Sequence, residues 1–207
     1  NILDKALKGI SDQEMLLLRR EFIGIPKGVK RIKLTYSEQK WLDEHPDIRF
    51  AGDPNWLPYE AFDVDGNYIG IVADHLKIIE QKLGIKLKII PTKSWSESIA
   101  KVKNNEIDVL SETNDSELKS QLEFTNSYLS SPIVIVMRNN ENYVDDIDQI
   151  SQKSMAVIKD YGYVFEIIKK YPNLNIQFVD SIQMGLTAVS TGKVDVLLAT
   201  LAQASYQ

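Results

Sequence analysis

Hydrophobic positions change their spacing along this chain, and the changes predict its elements. From Asn1 to Phe22 they fall at Ile2, Leu3, Leu7, Ile10, Leu16, Leu17 and Phe22, the spacing of amphipathic helix, with Ser11 as a candidate N-cap and Glu14 three residues on. Two short helices are predicted there. Gly24, Pro26 and Gly28 break the pattern, Thr35 to Glu44 resumes it as a short helix whose Trp41 and Leu42 pack onto the next segment, and Pro46 closes it. From Ile48 the pattern alternates between β-rich runs and helical faces. Ile48 to Ala51 and Leu87 to Ile90 are predicted strands, and Ile71, Val72, Leu76, Ile79 and Leu83 share one face of a helix over 71–83. A second unit repeats this: strand Ser154 to Ile158, helix Tyr161 to Lys170, strand Asn175 to Val179, helix Ile182 to Ser190, strand Val194 to Leu198. Such alternation predicts mostly parallel sheets flanked by helices, here in two lobes.

Composition narrows the functions that this architecture can carry. With 43% apolar and 26% charged residues over 207 positions, the chain has the balance of a folded globular protein. Its net charge of −5 comes from 29 acidic and 24 basic residues spread along the sequence, leaving no basic stripe for nucleic acid. Cysteine is absent, which removes disulfides, thiolate metal sites and a cysteine nucleophile. The two histidines, His45 and His75, lack metal-ligand spacing, so no metal or other cofactor is expected. Apolar runs such as Ile133 to Met137 and Val194 to Leu198 fall far short of the roughly 18 residues that span a bilayer. With no signal peptide and no initial methionine, the chain reads as a piece of a longer protein that meets a membrane only through other segments.

The stretch IRFAGDPNWLPYEAF, followed by the helix over 71–83 and the strand LKII, resembles the first lobe of the Venus-flytrap, or periplasmic solute-binding, proteins of the amino-acid-receptor family, as found in tandem in sensor kinases. SYLSSPIVIVMR, residues 127–138, is similar to that family's strand crossing between lobes, and LDKALKGISDQEMLLLRREF to its last helices. The resemblance implies an α/β, two-lobed periplasmic-binding-protein type 2 fold. It divides the chain into residues 1–34 (closing helices of a preceding flytrap plus a linker), 35–127 (lobe 1), 128–138 (hinge) and 139–207 (lobe 2, lacking its C-terminal part). One further expectation is that Asn1 to Phe22 docks where this domain's own closing helices would lie.

In open α/β sheets ligands sit beyond the carboxyl ends of strands, which directs attention to the loops there. The loop after the first strand carries Asp53, Trp56, Tyr59 and Glu60. By resemblance Asp53 and Trp56 face the cleft, and Trp95 is a second aromatic that sandwiches the ligand; alternatively, Trp56 and Tyr59 cap the lobe's own core. Ser94 and Ser96 read as helix caps. Beyond the third strand, LSETNDSELKS is similar to the family pattern that clamps a carboxylate, placing Ser111, Glu112 and Thr113 at the cleft. Where the family carries a bidentate arginine this chain has Leu118, and Lys119 beside it lacks the planar fork. Where an aspartate would bind an ammonium group, it has Thr200. From the second lobe Asp160, Tyr161 and Gly162 complete the expected site, the last two at a helix N-terminus whose N–H groups can meet a ligand.

With both charged anchors replaced, a free α-amino acid is not the expected ligand; a small polar or amphiphilic molecule is. The function implied is a periplasmic sensing domain of a membrane-bound histidine kinase or cyclic-dinucleotide enzyme, signalling by lobe closure. A neighbouring flytrap domain is an expected partner, and a second copy of the chain a further one. Two alternatives stay open: a solute-binding protein serving an importer, and an enzyme-type relative of the dehydratase or peptidoglycan-cleaving kind. The enzyme would need carboxylates such as Glu60 and Glu112 with perturbed pKa values in a closed cleft.

Overall fold

In the computed structural model, which describes residues 2–11, 30–111, 117–144 and 146–206, two α/β lobes meet along a shared cleft. The helix α1 (Ile2–Lys8) leads into lobe 1, and α2 (Tyr36–Glu44) follows the linker. Thr35 caps α2 with a full capping box: its Oγ1 accepts from the Glu38 N–H, and Glu38 accepts from the Thr35 N–H. Leu42 is buried, whereas Trp41 stays exposed and stacks on His45 with ring centroids 4.3 Å apart.

The lobe 1 sheet is parallel in the order β5-β1-β6, from β1 (Ile48–Ala51), β5 (Leu87–Ile89) and β6 (Val109–Leu110), with Ile48 opposite Leu87 and Phe50 opposite Val109. Its helices are α3 (Ile71–Leu83), as predicted, and α4 (Trp95–Lys103). The connection between β1 and α3, expected as a loop, is a small antiparallel sheet of β2 (Asn55–Trp56), β3 (Glu60–Phe62) and β4 (Tyr68–Ile69). Gly70, at φ 106°, turns the chain from it into α3; a side chain there would run into the Tyr59 carbonyl.

A crossing strand, β7 (Ile133–Met137), enters lobe 2 and pairs antiparallel with β10 (Val196–Thr200). β8 (Ser154–Ile158) and β9 (Asn175–Val179) extend this sheet in parallel, giving the order β7-β10-β8-β9. The helices α5 (Gly162–Lys170), α6 (Ile182–Ser190) and α7 (Leu201–Tyr206) complete the lobe. β10 starts two residues later than predicted, because the Val194 N–H is held by the Ala188 carbonyl in the turn that ends α6.

Residues of the two lobes share one buried cluster: Trp95, Ile99, Val102 and Leu118 of lobe 1 are continuous with Met155, Val157, Tyr161 and Leu197 of lobe 2. A second cluster lies on the other face of the lobe 1 sheet, where Phe50, Leu76, Ile79 and Leu83 pack with Ala6 of α1. There α1 is docked, Asp4 accepting from both the backbone and the side-chain amide of Asn126. The second N-terminal helix predicted beyond Ser11 lies outside the described residues.

Candidate functional site

A cavity of about 200 Å³ lies between the lobes. Asp53, Trp56, Tyr59, Trp95 and Ser111 line it from lobe 1, and Tyr161, Gly162, Tyr163 and Thr200 from lobe 2. Its remaining wall comes from the approach to the crossing strand, through Leu129, Ser130, Ser131 and Ile133.

Asp53 follows β1 and is only 4% exposed. Its Oδ1 accepts from the Asn55 N–H at 2.8 Å, which fixes the turn into β2, and its Oδ2 accepts from the Tyr161 hydroxyl at 2.6 Å. The second bond crosses from one lobe to the other. Burial pushes the Asp53 carboxyl up to about 6, against the opposing pull of the Tyr161 hydroxyl and the Asn55 N–H. Tyr161 precedes α5, its ring meeting Trp56 edge-on at 5.9 Å between centroids. The Gln203 amide donates to its hydroxyl at 3.5 Å.

A second interlobe contact is made by the first turn of α4. Ser94 caps the helix, accepting from the Glu97 N–H, so Trp95 begins it with its ring buried toward lobe 2. The Trp95 indole N–H donates to the Asp160 carbonyl at 2.9 Å, and the Ser96 hydroxyl to the Asp160 carboxylate at 2.5 Å. Asp160 sits at φ 62°, in the left-handed region that aspartate tolerates better than most residues. Those two bonds aim it at α4, and it does not line the cavity.

Glu60 also departs from expectation. It is fully buried in lobe 1, where Oε1 accepts from the Ser111 hydroxyl at 2.5 Å and the Asp53 N–H at 2.9 Å, and Oε2 from the Tyr68 hydroxyl. β3 turns its side chain inward beneath the cleft rather than into it. Burial pushes its carboxyl up to about 8, overcoming those three donors. Gly52 makes the arrangement possible, since a side chain there would collide with the Glu60 carboxyl and the Tyr68 hydroxyl.

Glu112 and Thr113 lie outside the described residues. Leu118, which stands where the family pattern has arginine, is 1% exposed in the interlobe core and does not line the cavity. Thr200 does line it, with its hydroxyl accepting from the Gln203 N–H and so capping α7. Trp56 lines the cavity and also packs against both buried clusters, so the ligand-facing and core readings of this residue both describe it. Its indole N–H is buried without a hydrogen-bond partner, as is the Gln203 side-chain carbonyl. Sequence reasoning missed Ser130, Ser131 and Tyr163. The signal was present in SYLSS, because a strand crossing between lobes must pass the floor of the cleft.

Comparison with known proteins agrees with this geometry. The profile of the bacterial extracellular solute-binding proteins, family 3, matches residues 48–174. Virulence sensor protein BvgS of Bordetella pertussis is 26% identical over 170 residues, 82% of this chain and 14% of that protein. Sensor protein EvgS of Escherichia coli is 26% identical over 180 residues, 86% of this chain and 15% of that protein. The chain therefore spans about a seventh of the length of these relatives. Among solved structures, the B. pertussis BvgS periplasmic domain superposes with a TM-score of 0.73 at 24% identity, covering 84% of this chain and 34% of that one. An arginine-bound, truncated ArgBP from T. maritima gives 0.68 at 21% identity, covering 81% and 79%.

Proposed function

The chain belongs to the bacterial extracellular solute-binding proteins, family 3, as a periplasmic sensing domain of Venus-flytrap fold, and from that premise we propose that it reports a small molecule held in the interlobe cavity to a membrane-bound kinase. The observation that carries this reading is the pair of interlobe contacts, Tyr161 to Asp53 and α4 to Asp160, which hold the lobes together around a cavity. A ligand filling that space touches both lobes at once. It therefore binds the closed arrangement better than an open one, and this difference in affinity is what drives a two-state equilibrium.

The ligand in this reading is polar or amphiphilic and is not a free α-amino acid. Leu118 lies in the core and Thr200 is neutral, so neither position offers the charge that an α-carboxylate or an α-ammonium would need. An unpaired buried ion costs several kcal/mol, of the order of a useful binding energy. The docking of α1 on lobe 1 supports the expectation that the N-terminal segment packs against this domain. The enzyme alternative loses support because Glu60, a carboxylate on which it would rest, is sealed beneath the cleft.

The absence of cysteine from this chain leaves an engineered pair as its only thiols. Combining Ser96→Cys with Asp160→Cys sets two thiols at facing positions of the two lobes, where the side chains now meet in a hydrogen bond. Oxidation should lock the lobes and fix the output of the full-length sensor in one state whatever ligand is added. Output that still responds to ligand in the oxidised protein would count against signalling by lobe closure.

A further inference from the structure

The lining of the interlobe cavity carries one formal charge and a set of aromatic faces, and together they select a ligand class. Trp56, Tyr59, Trp95, Tyr161 and Tyr163 contribute ring surface, while among the described residues no lysine, arginine or histidine lines the cavity. Asp53 is the lining carboxylate, and among the described residues no ion pair reaches it. Each of its oxygens accepts one hydrogen bond and keeps a further lone pair. A buried carboxylate with no cation beside it is electrostatically incomplete. The Trp56 indole N–H is buried without a partner beside this lining, so the ring turns its apolar surface to the cavity. Gly162, at the N-terminus of the nine-residue helix α5, adds a backbone donor.

We propose that the cavity takes a small methylated ammonium cation bearing one neutral hydrogen-bond acceptor, with its charge against Asp53 among the faces of Trp56, Trp95 and Tyr161 and its acceptor at the start of α5. This rests on the reading of the cavity as the sensor's ligand site. Aromatic faces attract a cation through their quadrupole, and a methylated ammonium sheds water at lower cost than a compact one in an apolar space. A ligand carboxylate is disfavoured, since it would lie near Asp53 with no cationic side chain among the described lining residues. A cavity of about 200 Å³ limits the ligand to a few heavy atoms beyond the cationic head.

The test is calorimetric titration of the protein near neutral pH with choline, with glycine betaine, and with the neutral isostere of choline in which carbon replaces nitrogen. Choline is expected to bind at least about tenfold more tightly than the isostere, the charge being the only difference between them. Asp53→Asn should remove that preference, and Trp56→Phe should weaken choline about two- to tenfold while preserving it. Equal binding of choline and the isostere, tighter binding of betaine, or no binding of choline would each overturn the proposal. The comparison of ligands needs no variant to fold. Small-angle scattering in the same samples separates the two levels of inference: closure by a compound of another class sinks the cation and leaves the sensing reading standing. Closure by none of a broad panel, together with output that ignores the cysteine lock, counts against both.

Discussion

At the scale of single residues, the carboxyl of Glu60 governs the behaviour of lobe 1. Its folded value of about 8 lies above the ordinary 4.5, so between those limits the folded chain holds a proton that the unfolded chain has released. The stability that Glu60 contributes should therefore be full below about pH 4.5 and be lost as pH rises toward 8, with a slope of at most about 1.4 kcal/mol per pH unit from this group. Asp53, raised to about 6 from 3.8, adds to the decline over the lower part of that window. Chemical denaturation across this range should show the fall in the native protein and a flatter profile in Glu60→Gln; an equally steep profile in the variant would refute the assignment. Gly52→Ala should destabilise by about 1–3 kcal/mol through the clash with Glu60 and Tyr68. The sequence made Asp53, Trp56 and Trp95 legible because each follows a strand or begins a helix in a recognisable motif. It could not make the inward turn of Glu60 legible, since that depends on strand pairing across a segment with the pattern of a loop and on a glycine eight residues upstream.

At the scale of elements, local signals are legible and their tertiary neighbours less so. α2, α3, α6 and the strands β1, β8 and β9 follow from periodicity and capping, because their apolar faces and end signals lie within the elements themselves. Thr35→Ala, which removes the reciprocal cap of α2, should cost about 1 kcal/mol, measurable as a lowered urea midpoint with unchanged slope. The sheet of β2, β3 and β4 was not legible, since two- and three-residue strands lack a period long enough to register. β10 was displaced by two residues because Val194 belongs to the same apolar run as the strand, and only its hydrogen bond to Ala188 marks it as the end of a turn. The cap at Ser94 is a local device with a distant result: by starting α4 at Trp95 it sets that ring and the Ser96 hydroxyl against Asp160 of the other lobe.

At the scale of the whole molecule, the two lobes could be inferred from the repeated strand and helix pattern, whereas their mutual contact could not. Nothing in the sequence pairs Asp53 with Tyr161, which lie 108 positions apart. Tyr161→Phe should remove that bond, strand the Asp53 carboxyl, and shift the lobes toward an open arrangement by about 1–3 kcal/mol, seen as an increased radius of gyration in solution scattering. An unchanged radius together with an unchanged melting temperature would show that α4 and Asp160 suffice to hold the lobes. The docking of α1 adds a mechanical consequence. Asp4 grips Asn126 with two hydrogen bonds, and Asn126 stands at the approach to the crossing strand β7. Seated in the buried cluster of lobe 1 and tied to Asn126, α1 rides with that lobe as one body, so any rotation of the lobes carries the start of the described chain through the same angle.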